Sequence, residues 1–373
     1  MIKPTAIGCY VYAGGFTSGM TDAGILTVAN FSDGFGDEIF SLNFPAVPIV
    51  GEPWDIFKWD RSRPDIVYGN PPCAVWSPAS TVSHGQRKVK HWSEDPRMSC
   101  WDRLLQLGLR LRPSIIVGES VPQFFTKGWA FSSSLANELM HHGYSVTFLF
   151  HDVKFLGGAQ QRRRVFLIGH RVELRIPQQC EVEMVTPAEV LANVQDPGEL
   201  VELVDSVAEI INLVPVGGTV SRTFDAYFGP KESRPPGLRR PSMYDSRLDP
   251  TRPTGAIIAD RLYHPTEGRK LGVLELAALM GYPDEWDWGD RSPGFKLGRM
   301  FKAVTPYAGR YLGGLLRSAL TDPTPISASN LSARAVYRWA KSTRILDLLP
   351  INEEVDLTDE VRAAPRREGG EHR

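Results

Sequence analysis

Pro64-Asp65-Ile66-Val67-Tyr68-Gly69-Asn70-Pro71-Pro72-Cys73-Ala74-Val75-Trp76-Ser77 is the stretch that decides the fold. The apolar run Ile66-Val67-Tyr68 stops at a Gly-Asn-Pro-Pro turn, which cannot continue a ladder because proline has no amide proton to give. Cys73 is therefore expected at the C-terminal edge of a buried strand, the edge at which open α/β sheets place their chemistry. A cysteine taken at random is more often a small buried hydrophobe. Here the chain that follows, Trp76 to Pro96, is polar and rich in Ser, His, Lys and Arg, and reads as a mobile, basic, substrate-facing loop. A thiolate at the root of such a loop reads as a nucleophile.

The rest of the chain bounds that reading. Its 373 residues, 42% of them hydrophobic, suffice for one large core and a smaller second one. Lys+Arg 42 against Asp+Glu 43 leaves a net charge of -1, so any face for a nucleic acid must be local. Candidates are His84 to His91, Arg162 to Arg164 and Arg234 to Arg252. The cysteines Cys9, Cys73, Cys100 and Cys180 form no Cys-x-x-Cys pair, which argues against structural zinc or any other metal and against a disulfide framework. With no signal peptide and no apolar run long enough to cross a bilayer, the expected setting is the cytoplasm of a bacterial or phage-infected cell.

Further stretches carry chemistry. Residues 7–25 read as strand, Gly14-Gly15 turn and helix, an arrangement that brings backbone amides toward a polar ligand. Leu26 to Phe31 reads as the second strand, and Asn43-Phe44-Pro45 and Asp55-Ile56 follow it. Asp95-Pro96-Arg97 precedes an amphipathic helix from about Ser99 to Leu111. Ser114 to Pro122 is a buried strand ending in Glu119. Gly157 to Gly169 contains Gln160, Arg162 and Arg164 ahead of an apolar Val-Phe-Leu-Ile run, and arginines two apart on a strand share a face. Arg269 to Trp286 and Phe301-Lys302-Ala303-Val304-Thr305-Pro306 close the series.

Together these stretches resemble the DNA (cytosine-5) methyltransferases over most of residues 8–317. The resemblance implies that Cys73 adds to C6 of a flipped-out cytosine, turning C5 from a poor aromatic nucleophile into an enamine carbon. It makes Glu119 the acid that holds N3 and the exocyclic amine, a role that burial would assist by raising its pKa. Arg162 and Arg164 would reach the cytosine carbonyl and flanking phosphates. Tyr10, Gly14, Gly15, Asn30, Phe31, Asp55, Ile56, Lys302 and Val304 would line the donor site, with Asn30 on the ribose, Phe31 on the adenine and Asp55 near the adenine amine. Ser77, Arg97, Gln160, Arg239 and Arg240 would contact DNA. On their own, Asp55 reads equally well as a solvated turn carboxylate, Glu119 as a helix-cap partner and the arginine run as a solvated patch.

The fold expected is a doubly wound, mostly parallel α/β sheet of the kind found in methyltransferases dependent on S-adenosylmethionine (SAM), with a smaller target-recognition lobe. Residues 1–170 would hold the donor and cytosine sites. Residues 171–260, where Pro, Gly and Arg rise, would form the lobe, short enough to predict a short recognition sequence. The catalytic domain would resume over 261–320. Residues 321–373 extend past the family core, and the charged end from Asp356 is expected to be disordered. The molecule is expected to act as a monomer on double-stranded DNA, with no membrane partner.

Several residues depart from the family pattern: Gly8 for its Asp, Tyr12 for a glycine, Asn30 for an acid, Ser120 for Asn, Phe301 for Gly and Lys302 for Asn. Lys302 matters most, because an ammonium beside the sulfonium of SAM would be repelled. A carboxylate on the transferred carbon, as in carboxy-S-adenosylmethionine, would attract it by about 4 kcal/mol before desolvation, at ~4 Å and an effective dielectric near ~20. The expectation is therefore a DNA cytosine carboxymethyltransferase making 5-carboxymethylcytosine, set against ordinary methylation with Lys302 turned outward. An RNA cytosine methyltransferase and a catalytically silent DNA-binding protein are the other readings.

Overall fold

A computed structural model describes residues 3–51, 63–73, 75–76, 95–177, 183–338 and 353–367. The strands are β1 (Thr5–Cys9), β2 (Leu26–Phe31), β3 (Ile49–Gly51), β4 (Ile66–Gly69), β5 (Ile115–Ser120), β6 (Ser145–Asp152), β7 (Gln160–Gln161), β8 (Arg163–His170), β9 (Ser246–Arg247), β10 (Thr254–Gly255), β11 (Leu262–Tyr263), β12 (Ala333–Arg338) and β13 (Glu354–Asp356). Among the described residues the main sheet has nine strands in the order β13-β12-β6-β8-β5-β4-β1-β2-β3. β1 to β5 run parallel, β8 is antiparallel to both β5 and β6, and β12 lies parallel to β6. The expected doubly wound, mostly parallel sheet is the one that forms.

Alternation along the strands builds two cores. Ala6, Ile66, Tyr68, Ile115 and Val117 face α1 (Gly15–Asp22) and the long C-terminal helix Pro306–Thr321. Their neighbours Ile7, Cys9 and Val67 face the helix Ser99–Leu111, whose apolar side carries Leu104 and Leu107. That helix spans the predicted residues. In chain order the helices after α1 are α2 (Asp37–Asn43), α3 (Ser99–Leu111), α4 (Trp129–His141), α5 (Pro187–Leu191), α6 (Asp205–Ala208), α7 (Val220–Phe228), α8 (Val273–Met280), α9 (Pro293–Met300), α10 (Pro306–Thr321) and α11 (Thr358–Ala363). α1 crosses α10 at Gly19, where a Cβ would strike the carbonyl of Pro306.

The segment between β8 and α8 has a small core of its own, with Val207, Ile210, Val214, Val220 and Phe224 packed around Tyr263. β10 pairs with β7, so the chain is back against the catalytic sheet by Thr254.

The C-terminal expectation needs correcting. Residues 354–363 form β13 and α11, and β12 extends the catalytic sheet itself. Val355, Leu357 and Val361, apolar residues spaced among the charges, pack with Ala333, Ala335 and Tyr337. The Asn137 side-chain amide donates to Ala364 O at 2.6 Å, and the Arg367 guanidinium sits 3.1 Å from Asp102 and 4.2 Å from the Phe131 ring centre.

Candidate active site

The carboxyl ends of β1, β4 and β5 converge where the strand order reverses between β1 and β4, the position at which open α/β sheets bind ligands. After β4, Asn70 is buried. Its backbone amide donates to Cys9 O at 3.1 Å and its side-chain amide to Lys302 O at 2.9 Å. The prolines then deliver Cys73, partly buried, whose carbonyl accepts from Trp76 N at 3.0 Å. Trp76 packs against Phe124 and Phe131, with ring centres 6.5 and 6.2 Å away.

Glu119, near the end of β5, is 2% exposed and pairs with Arg164 of β8 at 3.1 Å. Burial holds its carboxyl above the usual carboxylate range, against the pull of Arg164 and Arg162. For two charges taken out of water, desolvation can exceed the attraction between them. Burial also pushes the Cys73 thiol up, Glu119 adds to that, and Arg164 and Arg162 oppose it. Thiol and carboxyl are thus within electrostatic reach of each other, and both are held toward their protonated forms.

The turn after β1 is unusual for the residues it contains. Tyr10 (φ 56°) and Tyr12 (φ 52°) both occupy the left-handed region, which L-residues with bulky side chains rarely enter. Gly14 (φ 86°) also needs its missing side chain for space, because a Cβ there would lie 2.8 Å from Phe44. At Gly15 a Cβ would collide with the carbonyl of Val304 and would fall 2.8 Å from the Tyr282 hydroxyl. The two glycines therefore serve close packing of the protein on itself, and Gly15 and Val304 are brought into contact.

Some expected site residues hold other positions. Arg162 is 3% exposed and lies between β7 and β8, so it does not share a strand face with Arg164. Its guanidinium donates to the carbonyls of Ile257 (3.0 Å), Phe301 (3.0 Å) and Ala303 (3.2 Å). Gln160 is fully buried: its amide donates to Leu279 O at 3.1 Å and its Oε1 accepts from Ile257 N at 3.3 Å, so it does not face a duplex. Phe31 and Tyr10 are buried with Cys9, Val67 and Leu104. Arg97 binds Asp95 in two-pronged fashion at 2.9 and 2.5 Å, and its side chain stays 46% exposed. Arg239 and Arg240 are exposed, and Arg240 binds Asp225. Asp55, Ile56 and Ser77 lie outside the described residues, as do His84 to His91.

Lys302 stays at the site. The carbonyls of Phe301, Lys302 and Ala303 are held in succession by Arg162, Asn70 and Arg162, while the Lys302 side chain is exposed, its Nζ 4.2 Å from the centre of the Phe35 ring. Burial, then Arg299 and Arg97, lower its pKa, and Cys73 and Asp33 act in the opposite sense. Phe35, Arg299 and the pinning role of Asn70 were not anticipated. Asn70 stands in the stretch quoted first and could have been suspected as a polar residue inside an apolar turn; Phe35 gives no local signal.

The residues present suit a nucleoside donor. Asn30 is 1% exposed and its Oδ1 has no partner, an orphaned acceptor of the kind a ribose hydroxyl satisfies. Among the described residues no group of His, Cys, Asp and Glu could hold a metal ion, and no helix is long and apolar enough to cross a membrane.

The model of the C-5 cytosine-specific DNA methylase family matches residues 7–313. The chain belongs to that family. The methylase is 23% identical over 302 residues to the type II methyltransferase M1.HphI of Haemophilus parahaemolyticus, covering 76% of this chain and 78% of that one. It is 25% identical over 292 residues to M.FnuDI of Fusobacterium nucleatum, covering 73% and 82%. In fold it is similar to the S. pombe Dnmt2 methyltransferase, with TM-score 0.57 and 14% identity over 86% of this chain and all (100%) of that one. The methylase is thus a DNA cytosine-5 methyltransferase-type enzyme of a SAM-dependent family.

Proposed function

We propose that this methylase transfers a carboxymethyl group from carboxy-S-adenosylmethionine to C5 of cytosine in double-stranded DNA, giving 5-carboxymethylcytosine. The observation that carries the reading is Lys302: its backbone is fixed on three successive carbonyls by Arg162 and Asn70, while its ammonium is left exposed within electrostatic reach of Cys73. A cation within electrostatic reach of the nucleophile favours a transferred group that is itself anionic.

In this reading Cys73 loses its proton to solvent and the thiolate bonds to C6 of the extruded cytosine, the C5=C6 pair shifting toward C5 as protonated Glu119 transfers its proton to N3 and is left as the carboxylate. Arg164 keeps the Glu119 carboxyl in place through their 3.1 Å contact. The donor, held by the Tyr10–Gly15 turn and Asn30, supplies an electrophilic carbon whose bond to sulfur breaks with the electron pair left on a neutral thioether. A water molecule then takes the C5 proton, the C5–H electron pair reforms the C5=C6 bond as the Cys73 thiolate leaves, and the N3 proton returns to the Glu119 carboxylate.

Ordinary methyl transfer is the second reading. It is favoured by the seat of Lys302 on the Phe35 ring, a partner that needs no carboxylate. The two are separated by incubating DNA with each donor and weighing the released nucleosides. Carboxymethyl transfer predicts 5-carboxymethylcytosine from the wild type, and roughly a 10- to 100-fold loss of that product in Lys302→Asn, the span expected for removing one hydrogen bond to a charged group. Product from SAM alone, indifferent to Lys302→Asn, would overturn it.

A further inference from the structure

Tyr12 is the other departure from the family pattern in the same place, and its surroundings give it a task. The residue is 7% exposed, and its ring stands edge-on to Phe35 with centres 5.5 Å apart. Phe35 is the ring over which the Lys302 ammonium sits at 4.2 Å and the Arg299 guanidinium at 4.3 Å. One phenylalanine therefore braces Tyr12 on its edge and two cations on its face. The left-handed backbone at Tyr12 is held in place by Gly36, where a Cβ would lie 2.6 Å from the Tyr12 carbonyl carbon. An aromatic residue kept in that strained region, at the lip of the site, points to function.

The Tyr12 hydroxyl makes no hydrogen bond among the described residues. The residue as a whole is buried, while its hydroxyl, with no partner among those residues, keeps access to a ligand. Burial, then Cys73, Asp33, Cys100 and Glu119, keep the phenol from ionising, so it remains a donor of a proton and not an acceptor only. Of the ionisable groups facing this space, Lys302, Arg299 and Arg97 are cationic, and Asp33 and Glu119 are carboxyl groups. Asp33 already accepts from Phe35 N at 3.1 Å. A neutral phenol can donate to an oxyanion that the cations around Phe35 attract.

We propose that the Tyr12 hydroxyl and the Lys302 ammonium form a two-point receptor for the carboxylate of the transferred group, making Tyr12 a determinant of donor choice. This rests on the carboxymethyl reading above. A transferred methyl group offers the hydroxyl no acceptor.

The test measures binding of carboxy-S-adenosylmethionine and of SAM to the DNA-free protein by calorimetry, for wild type, Tyr12→Phe and Lys302→Asn. Nucleoside masses from each donor are measured alongside. Tyr12→Phe keeps the ring and its contact with Phe35, and thermal unfolding checks that the variant is folded. The expected result is that the wild type prefers the carboxylated donor and that Tyr12→Phe lowers that preference about tenfold, the effect of losing one charge-assisted hydrogen bond. If the wild type has the preference and Lys302→Asn abolishes it while Tyr12→Phe leaves it intact, the carboxymethyl reading stands and the role of Tyr12 is overturned. Equal weakening of both donors by Tyr12→Phe also overturns it, since the hydroxyl would then serve the amino-acid carboxylate common to the two. A wild type without the preference overturns both.

Discussion

Cys73 and Glu119 have opposite needs. The sulfur must lose a proton and the carboxyl must keep one, yet burial raises the pKa of both groups. The active fraction is the product of thiolate and carboxylic acid. Below the Glu119 pKa the rate should rise tenfold per pH unit as thiolate accumulates. Between the two pKa values the gain in thiolate is cancelled by the loss of acid, and above the Cys73 pKa the rate should fall. Single-turnover rates across pH at saturating DNA check this. Glu119→Gln should lower the rate by about 100-fold or more and remove the alkaline fall, because an amide cannot deprotonate. An unchanged bell-shaped profile in that variant would show that another acid is at work. That Cys73 and Glu119 lie at the same sheet edge was legible, because one follows and the other nearly ends an apolar run that reads as a parallel strand. Asn30 and Phe31 were harder to assign, since which of the two faces inward depends on the pairing Gly8↔Asn30 and Cys9↔Phe31, and the register shifts between Ala6 and Ile7 in a way no residue type announces.

Between elements, the segment ahead of α10 is held to the sheet by side chains from the β4 turn and from the β7–β8 junction. Asn70→Ala should leave the Lys302 carbonyl without its donor and cost about 2 kcal/mol in denaturant unfolding. Arg162→Met, which frees three carbonyls, should cost more and should also weaken donor binding in calorimetry. If both variants unfold like the wild type, these contacts do not fix Lys302. The sequence pattern pointed to Arg162 for a different purpose. The residue stands one position before β8 begins, and that offset turns its guanidinium onto backbone carbonyls while Arg164 makes the ion pair with Glu119. At the C terminus the reading failed because high charge hid the short apolar rhythm of Val355, Leu357 and Val361.

Across the molecule, two buried histidines set the response to acid. His151 is 1% exposed, stacks on Phe166 with ring centres 4.5 Å apart, and has no partner for either ring nitrogen among the described residues; burial, with Arg164 and Arg162 nearby, pushes its pKa down to about 3. His170 is pushed down to about 4, chiefly by burial. Below the ordinary histidine pKa the unfolded chain binds protons that the folded one refuses, so stability falls as pH drops from about 6.5 toward those values, by about 1.4 kcal/mol per unit for each group. Near pH 4.5 His151 alone should cost about 3 kcal/mol, and His151→Phe should recover it while leaving stability near neutral pH unchanged or raised. Unfolding curves at several pH values would reveal this, and an acid limb identical in wild type and variant would count against it.

The pairing of β12 with β6 spans a great length of chain: the Arg334 side chain meets Thr147 across 187 residues. On a ribosome adding about 5–20 residues per second, the outer flank of β6 waits roughly 10–40 s for its neighbour to be made. Until then a strand of eight buried residues exposes an open backbone edge, the kind of template on which other chains aggregate. Slow translation, or a polypeptide that stops short of β12, prolongs that exposure, so the yield of usable enzyme depends on how quickly this late strand is delivered.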